Sequence, residues 1–339
     1  MKILAIQFRY LGDAVLLTPA LHALKERFPD STLHALVPKE VTPLLEHSPD
    51  LQKVWSFPRV RGQANLALAW PLIRTLRRER FDRSVDFVGN DRGALVSLLC
   101  RARERLAPLR PGGFLARRFC YTKTVRTFPE SHQARSNFGV LSVWGIETPA
   151  QPQIRIWADP SLAAAAEEIL PGREILCHIT TSQPKKEWPV NLWADFFHLA
   201  RAAGHEPVFS AGTAAREQAV LKALRQRVPE ARMLPAVLDL ATFLAVLKRA
   251  RLLISGDTGP LHFAAGLGVP TISLFGPSSP SRWAPLGLQH RFLQAGNCNC
   301  HGRTAVCLSP NSCLAAIAPE AVLQALSEAL SGKFVKDSG

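Results

Sequence analysis

The sequence predicts an α/β protein built from two Rossmann-like domains that face each other across a cleft. Short apolar runs alternate with helical patterns through the first half of the chain, and the same alternation restarts after residue 160. Between them, Pro149 to Pro160 (PAQPQIRIWADP) reads as a linker. Regular strand–helix alternation implies parallel sheets covered on both faces, with sites at the carboxyl ends of their strands. The 339 residues suit two domains of roughly 100–200 residues each. We expect them at 1–152 and 160–331.

The elements follow in order. KILAIQ (Lys2 to Gln7) is a buried strand, and Ala14 to Phe28 an amphipathic helix stopped by Pro29. Strands follow at Leu33 to Val37 and Lys53 to Phe57, then a basic helix from Leu66 to Arg80, a strand from Phe81 to Val88 and a helix from Asp91. A looser Pro-, Gly- and Arg-rich section spans Pro108 to Arg118. In the second half we expect strands at Glu174 to Ile179, Glu206 to Ser210, Leu252 to Ser255 and Thr271 to Phe275. Helices are expected at Val190 to Ala203, Ala214 to Arg227, Leu238 to Arg249, Pro260 to Leu267 and Glu320 to Leu330.

Composition narrows the class. With 47% hydrophobic and 20% charged residues the chain is globular rather than disordered. A formal net charge of +14 calls for an anionic partner: nucleic acid, an acidic membrane surface or phosphorylated substrates. Gln7, Arg9 and Gly12-Asp13 cut the first apolar run too short for a signal peptide, and no stretch approaches 18 uncharged apolar residues. The seven cysteines are expected to be reduced thiols of a cytoplasmic protein.

Three motifs could carry chemistry. Arg9-Tyr10-Leu11-Gly12-Asp13 follows the first strand, where Gly12 permits a tight turn and Asp13 could act as a general base; the alternative is that Asp13 caps the next helix. Thr18-Pro19 offers a second helix start of its own, with Thr18 as cap and Pro19 at the first position, which weakens the capping reading of Asp13. In Ser255-Gly256-Asp257-Thr258-Gly259-Pro260-Leu261-His262, a strand turns into a helix whose N-terminal amides suit a diphosphate. Asp257 is better placed for sugar hydroxyls, and His262 is either a ligand contact or a core histidine. The third is Thr180-Thr181-Ser182-Gln183-Pro184-Lys185-Lys186-Glu187-Trp188-Pro189, whose hydroxyls and ammonium suit phosphate oxygens unless the lysine pair is simply solvated. Glu217 could accept from a ribose hydroxyl or be a surface helix residue. No GxGxxG occurs in the first half.

In this order and spacing, the motifs resemble glycosyltransferase family 9, the ADP-heptose:lipopolysaccharide heptosyltransferases. The resemblance runs from KILAIQFRYLGDAVLLTPALHALKERFP to the more specific SGDTGPLHFAAGLGVPTISLFGPSSPSRWAPLG. It implies the GT-B architecture, with the acceptor on the N-terminal domain and the nucleotide sugar on the C-terminal one. It further implies inverting, metal-independent transfer from ADP-heptose to a lipopolysaccharide core, with no cofactor required. Asp13 matches the family's catalytic aspartate, and Lys186 the lysine that stabilises the departing diphosphate. Thr180 and Thr181 match the hydroxyl pair on the donor phosphates, with one extra residue before the lysine. Asp257, Thr258, Gly259 and His262 match the donor-binding turn, and Glu217 the ribose contact. Arg9, Arg59, Arg61 and Arg117 are the candidate acceptor contacts.

Cys298, Cys300, Cys307 and Cys313 place four thiols within 16 residues, but C-x-C-x6-C-x5-C is not the usual paired metal spacing. Many family members resemble this chain in having such a loop without needing it for transfer, and no metal is expected. A related group that glycosylates proteins carries cysteine-bound iron, which keeps protein glycosylation as an alternative. Residues 72 to 126 hold 14 Lys/Arg against 5 Asp/Glu. Some of these are solvated, yet arginine is the better phosphate ligand, so an anionic glycolipid and a peripheral place on the cytoplasmic face of the inner membrane are expected. A basic nucleic-acid-binding protein is the other reading; the segment lacks interleaved aromatic residues and any nucleic-acid motif.

Overall fold

A computed structural model describes residues 1–58, 66–113, 117–127, 132–235, 238–296, 298 and 312–332. Its backbone divides into two compact units, Met1–Trp157 and Ala158–Gly339.

The first unit opens with β1 (Lys2–Ile6), whose Ile3, Leu4 and Ile6 are fully buried. Where one helix is expected, two form: α1 (Leu11–Val15) and α2 (Thr18–Arg27). Proline explains the break. Pro19 has no N–H to give the Val15 carbonyl four residues back, and the Thr18 hydroxyl takes that carbonyl instead, at 2.8 Å. Thr18 therefore sits in the first turn of α2 rather than capping it. β2 (Thr32–Pro38), β3 (Lys53–Phe57), α3 (Leu66–Arg78), β4 (Arg83–Asp86), α4 (Asp91–Cys100), β5 (Glu104–Pro108), β6 (Lys123–Val125) and α5 (Gln133–Ser136) complete the unit. All neighbouring strands are parallel, in the order β3-β2-β1-β4-β5-β6. This is the doubly wound order whose direction reverses between the first and fourth strands.

The second unit begins with α6 (Ala163–Ile169) and continues with β7 (Ile175–His178), α7 (Val190–Ala202), β8 (Val208–Ser210), α8 (Ala215–Arg227), α9 (Leu240–Arg249) and β9 (Leu252–Gly256). α10 (Gly259–Gly266), β10 (Thr271–Phe275), α11 (Pro280–Trp283), β11 (His290–Gln294) and α12 (Pro319–Leu330) follow. The parallel sheet runs β11-β10-β9-β7-β8. Beyond β8, a single parallel bridge from Phe209 to Met233 stands where a sixth strand would lie. With that bridge the order repeats that of the first unit, and its reversal falls between β7 and β9.

Trp188, Trp193, Phe196, Phe197 and Phe209 form the aromatic heart of this unit, with Trp188 edge-on to Trp193 at 4.9 Å. The Trp188 indole N–H donates to the Ile317 carbonyl at 3.0 Å. That bond anchors the loop between β7 and α7. Among the described residues, no helix is long and apolar enough to cross a membrane.

Candidate functional site

In open parallel sheets, ligands gather at the carboxyl ends of the strands beside the point where strand order reverses. In the second unit those strands are β7 and β9, paired His178 to Ser255. Beyond them lie Thr180-Thr181 and Asp257-Thr258. The two motifs, more than 70 residues apart in sequence, therefore meet.

The meeting is direct. A 3-10 turn, Pro184–Lys186, brings the Lys186 ammonium to 2.6 Å from Asp257 Oδ2. The Asp257 side chain is only 7% exposed and that of Lys186 21%. A pair so withdrawn from water interacts far more strongly than a surface pair. Lys185 is buried as well, so this is not a solvated lysine pair. Gly256 makes the approach possible: a Cβ there would stand 2.6 Å from the Lys186 carbonyl oxygen.

Asp257 leads into α10. Thr258 is its extended N-cap residue, with no side-chain cap, and Gly259-Pro260 form its first turn. The N-terminal amides of such a helix, with its dipole, favour an anion. His262 lies in the same helix, 4% exposed, its ring centre 6.4 Å from that of Trp283.

The threonine pair is buried. The Thr180 hydroxyl accepts from the Gly212 N–H at 2.9 Å. The Thr181 hydroxyl donates to the Gln183 carbonyl at 2.6 Å and accepts from the Gln183 N–H at 3.0 Å, a turn that shapes the loop before Lys186. Glu217 reaches back to accept from the Ala214 N–H at 3.3 Å, since Ala214 has no side chain with which to cap α8.

One functional group is not visible in the sequence. Arg216 binds Glu187 with both terminal nitrogens, each at 2.9 Å, and also donates to the Thr181 carbonyl. Glu187 in turn accepts from the Thr181 N–H at 2.8 Å. Glu187 holds the Arg216 guanidinium above its already high ordinary pKa, so its charge is permanent. This clamp fastens the first turn of α8 to the residue beside Lys186. Only its position next to Glu217 could have drawn notice to Arg216.

In the first unit, Asp13 lies within α1, whose N-cap residue is Tyr10; it does not cap that helix. Its carboxylate is 12% exposed and 3.5 Å from the Arg9 guanidinium. Arg117 donates to Asp91 at 3.2 Å and to the Arg110 and Pro111 carbonyls. It lines a cavity of about 280 Å³ beside Gly89, Arg110, Arg118 and Tyr121. Asp86, unremarked in the sequence, ends β4 fully buried and accepts from the Tyr121 hydroxyl at 2.7 Å. Burial pushes its carboxyl above the usual range.

Arg59 and Arg61 lie outside the described residues, as do Cys300 and Cys307. Cys298 and Cys313 are half-buried. No three His, Cys, Asp or Glu side chains are grouped to hold a metal among the described residues.

Two doubly wound units, one with a half-buried carboxylate after its first strand and the other with a lysine beside the start of a helix, are the arrangement expected of a GT-B glycosyltransferase. The model of glycosyltransferase family 9 (heptosyltransferase) matches residues 69–311, and the chain belongs to that family. It is 23% identical over 288 residues to lipopolysaccharide heptosyltransferase 3 of Escherichia coli, covering 82% of this chain and 84% of that one. Its fold matches a family 9 glycosyltransferase from Veillonella parvula with a TM-score of 0.84 and 20% identity, over 98% of this chain and 97% of the other. It also matches the E. coli ADP-heptose LPS heptosyltransferase II with a TM-score of 0.78 and 19% identity, over 99% and 100% of the two chains. The protein is a glycosyltransferase.

Proposed function

We propose that the protein is an inverting, metal-independent heptosyltransferase that moves heptose from ADP-heptose to a lipopolysaccharide core. The observation that carries this is the Lys186–Asp257 pair at the start of α10, where the second sheet reverses its order. Two of the relatives named above are lipopolysaccharide heptosyltransferases, and one of these is an ADP-heptose enzyme.

In this reading residues 1–152 take the acceptor and residues 160–331 the donor. Asp13 removes the proton from the acceptor hydroxyl as its oxygen attacks the anomeric carbon. The bond from that carbon to the diphosphate oxygen breaks with inversion, and the proton stays on Asp13 until solvent takes it. Lys186 leaves Asp257 for the departing diphosphate, whose charge the amides around Thr258 and Gly259 share. Asp257, thus freed, accepts from sugar hydroxyls, with His262 beside it. Thr180 and Thr181 shape the phosphate side of the loop, and Glu217 receives the ribose. Arg9 and Arg117, with Arg59 and Arg61, meet the acids and phosphates of the acceptor. No resident cofactor is required, and the enzyme works in the cytoplasm at the inner membrane.

A thermal-shift panel of ADP, GDP, UDP and CDP tests the donor side, because a ligand of the folded state raises its melting temperature. ADP alone should give a large shift; no response to any of the four overturns the donor assignment. Asp13→Asn should abolish transfer while leaving ADP binding intact. Turnover retained in that variant removes Asp13 from the role of base.

A further inference from the structure

We infer that β11, the free edge of the second sheet, pairs antiparallel with β11 of a second copy of this chain, about a two-fold axis at Phe292. The inference stands on the sheet alone and is independent of the proposed reaction.

β11 has a neighbouring strand on one side only, β10. Their parallel ladder uses the backbones of alternate residues: the Thr271 N–H donates to the Gln289 carbonyl and the Ala295 N–H to the Phe275 carbonyl. Arg291 and Leu293 lie between those two bonds and face β10 in the same way. The backbones of His290, Phe292 and Gln294 therefore point away from the sheet. The His290 N–H is taken by the Gly287 carbonyl at 3.1 Å, whereas Phe292 and Gln294 have no outward backbone partner among the described residues.

Such an edge invites another strand unless lysine, a bulge or cover guards it. The other sheet edges are guarded: β3 and β6 each begin with a lysine, Lys53 and Lys123, and the Phe209–Met233 bridge lies along β8. β11 (HRFLQ) has no such device. Its arginine, Arg291, is on the opposite face of the sheet, bound to Glu328 of α12. Burial pulls the His290 pKa down to about 4, so that ring is neutral at ordinary pH, where it shares a hydrogen bond with Thr271 at 3.0 Å. The edge thus carries no unmatched charge to repel a copy of itself. It does carry exposed apolar surface: Phe292, edge-on to Phe275, is 51% exposed, and Leu288 in the preceding turn 69%.

A two-fold axis at Phe292 makes the strand its own complement. Phe292 gives one main-chain hydrogen bond to its equivalent and accepts one, while the Gln294 N–H meets the His290 carbonyl of the other copy. On the exposed face the two Phe292 rings come together, and the uncharged His290 and Gln294 side chains fall opposite each other. A foreign strand would satisfy the backbone; the copy also matches the side chains. One short strand and its turn bury less than the roughly 1,600 Å² of a standard interface, so the dimer forms reversibly with concentration.

Sedimentation equilibrium of the full chain over a concentration series should show monomer passing to dimer. Phe292→Lys, and separately Gln294→Pro, which removes only an outward N–H, should each move the midpoint at least about ten-fold towards higher concentration. Phe119→Lys, which alters a similarly exposed aromatic residue of the first unit, should not. Circular dichroism like that of the unmodified chain checks that each variant folds. Cysteine cross-linking reads the register. Opposite Cα atoms in a bonded antiparallel pair lie about 5.5 Å apart, within disulfide reach, so Phe292→Cys should give a disulfide-linked dimer with an added oxidant. The Gln294 residues of two copies would stand roughly 14 Å apart, so Gln294→Cys should give no more linked dimer than the unmodified chain. A chain that stays monomeric through the series overturns the proposal. So does a dimer that Phe292→Lys leaves intact, or one that Gln294→Cys links as readily as Phe292→Cys.

Discussion

Gly256→Ala adds one methyl group to the last residue of β9. That Cβ would lie 2.6 Å from the Lys186 carbonyl oxygen and 3.4 Å from Thr181 Cγ2. Ordinary contact begins at about 3.4 Å, so the two backbones must separate by roughly 0.8 Å. Neither is free to yield. β9 is paired on both sides, to β7 and β10. The Lys186 loop is closed by the Lys186 N–H on the Gln183 carbonyl, by Thr181, and by the Glu187–Arg216 clamp. The strain should cost about 1–3 kcal/mol of stability. A displacement of that size at a charge-stabilising group should lower kcat/KM by about 10- to 100-fold. Steady-state transfer with ADP-heptose and a core acceptor measures the second quantity, and denaturant unfolding the first. Gly296→Ala, where a Cβ meets nothing within 4 Å, is the matched control and should change neither. A Gly256→Ala enzyme with unchanged turnover and stability would refute the claim that this close approach fixes Lys186.

Two further predictions concern the second unit. Arg216→Lys exchanges a two-pronged grip on Glu187 for a single point charge, and should raise the donor KM by about ten-fold with a smaller change in kcat; unchanged ADP affinity by calorimetry, with only stability lost, would make the clamp merely structural. His178 on β7 shares a hydrogen bond with Ser210 at 3.0 Å, and burial pulls its pKa from 6.5 down to about 4. The unfolded chain therefore takes up this proton at a higher pH than the folded one. Its contribution is complete above pH 6.5 and is lost as the pH falls through that window, by about 3 kcal/mol in all. His178→Asn should flatten the fall in unfolding free energy on acidification; an unaltered acid slope would show that the proton is taken up elsewhere.

Most central strands were legible because they are buried on both faces and read as unbroken apolar runs: KILAI, LLISG and TISLF; the internal β5 (ERLAP) was not, because Glu104, Arg105 and Pro108 leave it no such run. β6 (KTV) and β11 (HRFLQ) escaped notice because each is an edge strand, half-exposed and correspondingly polar. The turn into α10 was legible for a related reason. Thr258, Gly259 and Pro260 do their work through local backbone geometry, which neighbouring residues specify; the reason for Gly256, the close approach of Lys186, was not legible. The Arg216–Glu187 clamp and the Asp86–Tyr121 pair are held by contacts across 29 and 35 residues of chain. Their side chains resemble any other Arg, Glu, Asp or Tyr until the fold brings them together. Asp257 and Lys186 belong to both groups. Each could be singled out from its own motif, but not their pairing. That pairing matters because it holds Lys186 at the start of α10 without a ligand, so that, under the proposed function, an incoming diphosphate must compete with Asp257 for it. On that proposal Lys186 is held where the diphosphate would leave, and Asp257 would be released to the sugar only when that diphosphate is present.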